Sequence, residues 1–310
     1  MKSLKNFVLL LLALLVSVPT FGSSVVFEKS WGVQGTKNGQ FSDPQGIFVD
    51  GKDLVYVADT LNHRIQVFDK NGKHKTSFGS YGSENGEFLF PHDIVVDSKG
   101  FIYVADSQNG RVQKFSSKNK FVKAWGSKGP EPGQFDGPMY LAVDKSDRIY
   151  VGDAFNQRVQ VFDNEGTLIL TVGAKVGMFD AMNPGNLATV SGLSVDNNGY
   201  IYISDDIVRR IQKYDPEGNF VAEWGSGYSG KWGQPGGSTI DSSGNLHYIN
   251  KMNNMVVVLD PKGSFLFEWG GSGTASGLFT RPIDLYFSDD GSVFVLEQSG
   301  NRIQRFGISY

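Results

Sequence analysis

Val57-Ala58-Asp59-Thr60-Leu61-Asn62-His63-Arg64-Ile65-Gln66-Val67-Phe68 is a stretch that the chain keeps rewriting. It returns as Val104-Ala105-Asp106 to Arg111-Val112-Gln113-Lys114-Phe115 and as Val151-Gly152-Asp153 to Arg158-Val159-Gln160-Val161-Phe162. Looser copies run from Ile203-Ser204-Asp205 to Tyr214 and from Val295-Leu296-Glu297 to Phe306. Self-similarity at a fixed period of this length belongs to solenoids and propellers.

An apolar or aromatic residue followed by Gly marks the period: Trp31-Gly32, Phe78-Gly79, Trp125-Gly126, Val172-Gly173, Trp224-Gly225 and Trp269-Gly270, spaced by 47, 47, 47, 52 and 45 residues. Each unit then runs through a Gly-rich connection, in four units ending in Gly-x-Phe, to a short apolar strand that a Pro opens and an Asp closes, as from Pro91 to Asp97. Pro suits a strand's first position, where its missing N–H costs least. Turns such as Asp97-Ser98-Lys99-Gly100 and Asp69-Lys70-Asn71-Gly72 separate the strands that follow. Four antiparallel strands per period make one propeller blade, so the chain is predicted to be all-β, a six-bladed β-propeller of four-stranded blades. The sixth unit has no fourth strand after Phe306, while Phe27-Glu28-Lys29-Ser30-Trp31 has the Phe-x-x-x-Trp spacing of Phe121 to Trp125. The N-terminal strand is therefore expected to complete the last blade and remove its exposed edge.

Five units carry an acid at the end of the second strand and an Arg five residues on: Asp59/Arg64, Asp106/Arg111, Asp153/Arg158, Asp205/Arg210 and Glu297/Arg302. The fifth unit has Asn250 and Met255, losing both members together. Joint loss is what a structural ion pair predicts, because one member alone would leave a charge unpaired.

The chain has 310 residues, 29 Lys+Arg against 32 Asp+Glu, a net charge of −3, and no Cys. Disulfides, thiolate metal sites and a Cys nucleophile are excluded, and the acidic balance argues against nucleic acid. Lys2 and Lys5 precede the apolar run Phe7 to Val18, followed by Pro19 and the small residues Gly22, Ser23 and Ser24. This reads as a signal peptide over 1–22 and a propeller over 23–310, hence a secreted or extracytoplasmic protein. The alternative is an uncleaved anchor holding the propeller at a membrane surface, although a span needs about 20 apolar residues.

The repeated residues resemble the NHL repeat family: Gly39-Gln40-Phe41, Pro44-x-Gly46-Ile47, Val49-Asp50, Tyr56-Val57-Ala58-Asp59 and Asn62-His63-Arg64-Ile65-Gln66-Val67-Phe68 carry the likeness across residues 25–306. The resemblance implies a six-bladed propeller, as the strand count does. It leaves function open, since members include RNA-binding and ubiquitin-ligase modules, extracellular sensor domains, and proteins similar to the peptidyl-hydroxyglycine amidating lyase.

The long loops of such a blade share one face, around the channel mouth. Aligned on Pro44, they place Gln45, His92, Met139, Ser191, Gly236 and Ile283 there, followed by Gly46, Asp93, Tyr140, Gly192, Gly237 and Asp284. Resemblance to the amidating lyases implies rim zinc-binding His residues in three blades, but only His92 matches, so the triad is missing and no metal site is assigned. Asp93 and Asp284 have no assigned Arg; they suit Ca²⁺ binding, acid–base work, or plain turn capping. Tyr81, Phe90, Met182 and Met252 join the aromatic and flexible residues of the same loops. The binding candidates are Gln45, His92, Asp93, Met139, Tyr140, Phe155, Ser191, Tyr228, Trp232 and Asp284; no catalytic residue is assigned. The expectation is a non-catalytic scaffold for a protein, peptide or glycan, without nucleic acid and without a cofactor. The alternative is an extracytoplasmic metal-dependent lyase or hydrolase using zinc or calcium at the central rim.

Overall fold

The computed structural model of this chain describes residues 23–225 and 232–310. The expected leader over 1–22 lies outside the described residues. Six four-stranded antiparallel sheets form the six-bladed propeller, five paired in chain order and the last completed by the N-terminal strand. Blade 2 shows the plan, with strands Pro91–Val96, Ile102–Asp106, Arg111–Phe115 and Phe121–Trp125.

In five of the six blades the opening hairpin is set by the Asp that closes the first strand, Ser288 standing there in the last. Asp97 Oδ1 accepts the amides of Lys99 (3.0 Å) and Phe101 (2.8 Å), while Tyr103 donates its hydroxyl to Oδ2 at 2.9 Å. Asp50 with Tyr56, Asp144 with Tyr150 and Asp196 with Tyr202 repeat the arrangement. The carboxylate pins the register of two strands whose residues are buried on both faces.

Connections between blades are packed around a buried ring. Phe41, Phe88, Phe135 and Phe279 are fully buried. Each lies beneath the Gly of its unit's aromatic-Gly pair, and a Cβ on Gly79 or Gly270 would stand 2.3 Å from that ring. Those glycines also hold φ of 92° and 95°, so close approach and backbone both require them. The same place is taken by Leu187 beneath Gly173 and by Trp232 beneath Gly225. Trp232 thus replaces the blade's structural Phe and packs, half-buried, against the core of blade 5.

The ring closes as expected. Ser24–Trp31 pairs with Arg302–Ser309, setting Phe27 opposite Phe306 and Trp31 opposite Ile303. Both strands run farther than the sequence pattern indicates. Trp31 then wedges between blades, its ring 6.2 Å from Phe294 of the last and 6.4 Å from Phe68 of the first.

The acid–Arg pairs lie where the repeat places them. Arg64 meets Asp59 at 2.8 Å, Arg111 meets Asp106 at 2.7 Å, Arg158 meets Asp153 at 2.9 Å and Arg302 meets Glu297 at 2.5 Å. In the fourth blade Arg210 stands off Asp205 at 3.9 Å and joins Glu223 at 2.8 Å. Each Arg also donates to carbonyls of the incoming loop, as Arg111 does to Glu84 and Glu87, so the pairs brace the loop face.

Candidate functional site

The six first strands, Gly46–Val49, Pro91–Val96, Pro138–Val143, Gly192–Val195, Pro235–Ile240 and Pro282–Phe287, surround a central cavity of about 580 Å³. Near its loop-face end stand Asp93 and Asp284, each placed by the second residue after a strand-opening Pro. Asp93 Oδ2 accepts the amide of Leu141 in blade 3 at 2.7 Å, and Oδ1 accepts that of Ile94 at 2.7 Å. Asp284 Oδ2 accepts the amide of Ile47 in blade 1 at 3.0 Å.

Each carboxyl group also leans over a glycine of the preceding blade. Asp93 Oδ1 lies 2.4 Å from the position of a Cβ on Gly46, and Asp284 Oδ1 lies 2.4 Å from that of a Cβ on Gly237. The two Asp residues therefore span three blades apiece and converge on the Gly46-Ile47 dipeptide from either side. Asp93 is buried and Asp284 half-buried, and neither caps a hairpin, so the turn-capping role expected from sequence is corrected.

Burial pushes both carboxyl groups up. Asp93 is driven well above the usual carboxylate range, first by burial and then by Asp284. Asp284 is pushed up to about 7 by burial. The pair thus keeps a proton around neutrality. Burial also lowers His92 to about 4, leaving it neutral, with Nδ1 buried and unpartnered and its ring edge-on to Tyr140 at 5.2 Å. The Tyr140 phenol is raised by burial and by Asp206, Asp284 and Asp93, so it stays protonated. Lys251 crosses from blade 5 to Asp206 of blade 4 at 3.0 Å.

Other expected site residues divide. Gln45 donates to Asp43 at 2.9 Å and stays half-buried at the mouth. Met139 is half-buried beside Phe155, which is 54% exposed. Ser191 is corrected to a structural residue: it is buried, its hydroxyl donates to Pro235 O at 2.9 Å, and it accepts the Asp206 amide at 3.1 Å. Tyr228 lies outside the described residues. Among the described residues, no three His, Cys, Asp or Glu side chains gather to hold a metal ion.

A feature the sequence reading passed over is a repeated exposure. Two residues after the acid position, Leu61 is 48%, Phe155 54%, Ile207 47% and Met252 55% exposed. The short turn there, as in Thr60–Asn62, lifts this side chain off the sheet in every blade, and four of the six blades fill it with a large apolar residue. Tyr81 and Phe90 flank His63 nearby, at ring distances of 5.0 and 4.9 Å. The signal was legible, but only by comparing units at a position that the repeat itself leaves variable.

Comparison with known proteins supports the architecture. A family model described as a 6-bladed beta-propeller matches residues 39–133. The B-box type zinc finger protein ncl-1 of Caenorhabditis elegans is 47% identical over 51 residues, 16% of this chain and 6% of that protein. The chain thus matches only a small part of that relative's length. Among solved structures, virginiamycin B lyase from Staphylococcus aureus superposes with a TM-score of 0.62 at 12% identity, covering 92% of this chain and 99% of that one. The Xanthomonas campestris gluconolactonase XC5397 gives 0.64 at 12% identity, covering 95% and 94%. At these identities the likeness is one of fold.

Proposed function

We propose that this chain is an exported, non-catalytic propeller of NHL type that binds a protein or peptide through its loop face. The observation that carries this reading is the crown of Leu61, Phe155, Ile207 and Met252, exposed at one repeat position around the channel mouth. The blade does not need large apolar residues there, because the corresponding Gln108 and Ser299 serve equally well. Large apolar side chains repeated at one position of the loop face, where a blade accepts polar ones, support an interaction surface there. Their apolar character, with Leu, Ile and Met beside a single aromatic, suits a polypeptide better than a sugar, and a net charge of −3 disfavours nucleic acid. The leader-like segment over 1–22 supports export.

The test is affinity enrichment from the source cell's envelope with the wild type, a Phe155→Ser/Met252→Ser variant and an outer-strand control, Val122→Ser. A partner lost with the loop-face variant and kept with the control supports the reading. Partners indifferent to the loop-face change would sink it.

A second reading, a lyase or hydrolase, is favoured by one observation: Asp284, pushed up to about 7 beside Asp93, has the proton affinity of a general acid–base group. Elemental analysis of the purified protein and of Asp93→Ala tests its metal-dependent form. About one equivalent of zinc or calcium, lost in the variant, would favour the enzyme over the scaffold.

A further inference from the structure

The channel beneath the apolar crown carries a charge of its own. Among the described residues, its lining contains Asp50, Asp93, Asp97, Asp144, Asp147, Asp196, Asp241, Asp284 and Asp289 against one cation, Lys145. Most of these carboxylates are engaged in capping hairpins at the far end, as Asp97 and Asp241 are. Asp93 and Asp284 stand at the end nearer the crown, on rigid inner strands, and their hydrogen bonds come from backbone amides. Among the described residues neither has an ion-pair partner; the nearby Lys251 is held by Asp206. A low-dielectric passage lined by one sign of charge focuses that field at its opening.

We propose that the loop face receives a protein segment whose Arg or Lys side chain enters the channel mouth toward Asp93 and Asp284, while its apolar neighbours rest on Leu61, Phe155, Ile207 and Met252. The proposal rests on the loop-face reading above and names the chemistry of its partner. Charge complementarity selects a basic residue, and the geometry selects one on a long apolar stem. Such a stem passes the ring of Tyr140 while its charged head reaches the carboxyl pair, as Lys and Arg stems do at apolar surfaces. A bare metal ion is a poorer occupant, since no third ligand joins the two Asp residues among the described residues. A nucleic acid would bring phosphates against the same carboxylates.

Entry of a cation has a consequence that plain surface contact lacks. The carboxyl pair holds a proton when empty, so a bound guanidinium or ammonium group displaces it. Affinity then rises with pH through the neutral range, and binding releases a proton. The groups facing the pair from neighbouring blades are His92, Tyr140, Asp206 and Lys251. His92 is already neutral there, Tyr140 stays protonated and Lys251 is ion-paired, so the pH response belongs to the two Asp residues.

The experiment selects a displayed random peptide library against the full chain, then measures the synthetic consensus peptide by calorimetry in two buffers of different ionisation enthalpy. The expected consensus places Arg or Lys between apolar residues. Replacing that Arg by citrulline, or Asp284 by Asn in the protein, is expected to weaken binding at least about tenfold. Binding is expected to tighten between about pH 6 and pH 8 with proton release. The citrulline arm does not depend on any protein variant folding. A consensus without a basic residue, or affinity indifferent to both citrulline and pH, overturns the inference. If that affinity still requires Phe155 and Met252, the loop-face reading survives. Selection of no peptide dependent on Phe155 and Met252 overturns both.

Discussion

Asp284 accepts the backbone N–H of Ile47 at 3.0 Å, a bond between residues 237 apart in sequence that joins the last blade to the first on the channel side. Asp93 makes the matching bond to Leu141, 48 residues on, joining blade 2 to blade 3. Inner strands of a propeller approach one another without forming a common sheet, so their amides facing the channel need other acceptors. Carboxyl groups at this position supply them, and in doing so they enter a setting that penalises their charge.

The penalty predicts a pH dependence. Asp284 is raised in the folded chain to about 7, above the ordinary carboxylate value, so folding favours its protonated form. Its contribution is fully present below about pH 4 and is lost as pH rises toward about 7. Each tenfold of proton affinity gained on folding is about 1.4 kcal/mol missing from the ionised protein. Asp284→Asn keeps an oxygen for the Ile47 amide and cannot ionise. It should raise stability above neutrality and flatten the profile between about pH 5 and pH 8, as read by urea denaturation at several pH values. A variant less stable than wild type at about pH 8 would show that the charged form is the one the fold favours.

Gly46 is occupied, in effect, by its neighbour. Asp93 Oδ1 stands 2.4 Å from where a Cβ would be, and the Asp93 Cα and His92 carbonyl stand at 2.7 Å. Two of these three are backbone atoms on a rigid strand, so Gly46→Ala should cost about 1–3 kcal/mol by overpacking. Gly51, where the nearest atom is an Asp289 carboxyl oxygen at 3.6 Å, is the control, and Gly51→Ala should be close to neutral. Thermal melts of the two variants side by side check the difference.

The architecture could be read from sequence because it is repeated: six apolar-Gly markers, five of them aromatic, and five acid–Arg pairs each restate the same unit. The closure could be read as well, since Phe27 and Trp31 carry a spacing used elsewhere in the chain. The sequence singled out residues that depart from the repeat, but not how they pack. Asp93 and Asp284 occupy a position that is Gly or Tyr in the other blades, and only three-dimensional adjacency shows that Gly46 and Gly237 make room for them. Trp232 misled for the opposite reason: it lacks the Phe that the pattern calls for, yet fills the same volume beneath Gly225.

Blade 5 tests the acid–Arg brace without any engineering, because Asn250 and Met255 replace it there. In blade 2, Asp106 is fully buried and Arg111 is 14% exposed, joined at 2.7 Å. Arg111→Met alone strands the carboxylate and should cost about 3–5 kcal/mol. Asp106→Asn with Arg111→Met, the blade 5 solution, should cost clearly less than the two single changes added together. A double-mutant cycle by chemical denaturation measures the coupling, and additive costs would mean that the two residues act independently.

The last blade reaches back as well as forward. In blades 1 to 4, a Tyr on the second strand donates to the Asp that closes the first. Blade 5 has His247 at that place, buried and lowered by burial, with Nε2 3.2 Å from Asp241. The missing phenol is supplied by Tyr310, whose hydroxyl donates to Asp241 and lies 2.8 Å from His247 Nε2. Although burial opposes it, donation from His247, Tyr310 and Asn245 holds the Asp241 carboxyl well below the usual range. A depressed carboxyl stabilises the fold above its unfolded value, near pH 4, and that stabilisation is lost as pH falls through the acid range. Tyr310→Phe removes one donor while keeping the ring near Phe267. The change should cost about 1–2 kcal/mol at neutral pH, the lower end holding because Tyr310 is half-exposed, and clearly less when Asp241 is already replaced by Asn. A cost unchanged in the Asp241→Asn background would mean that Tyr310 acts through packing rather than through the Asp241 charge.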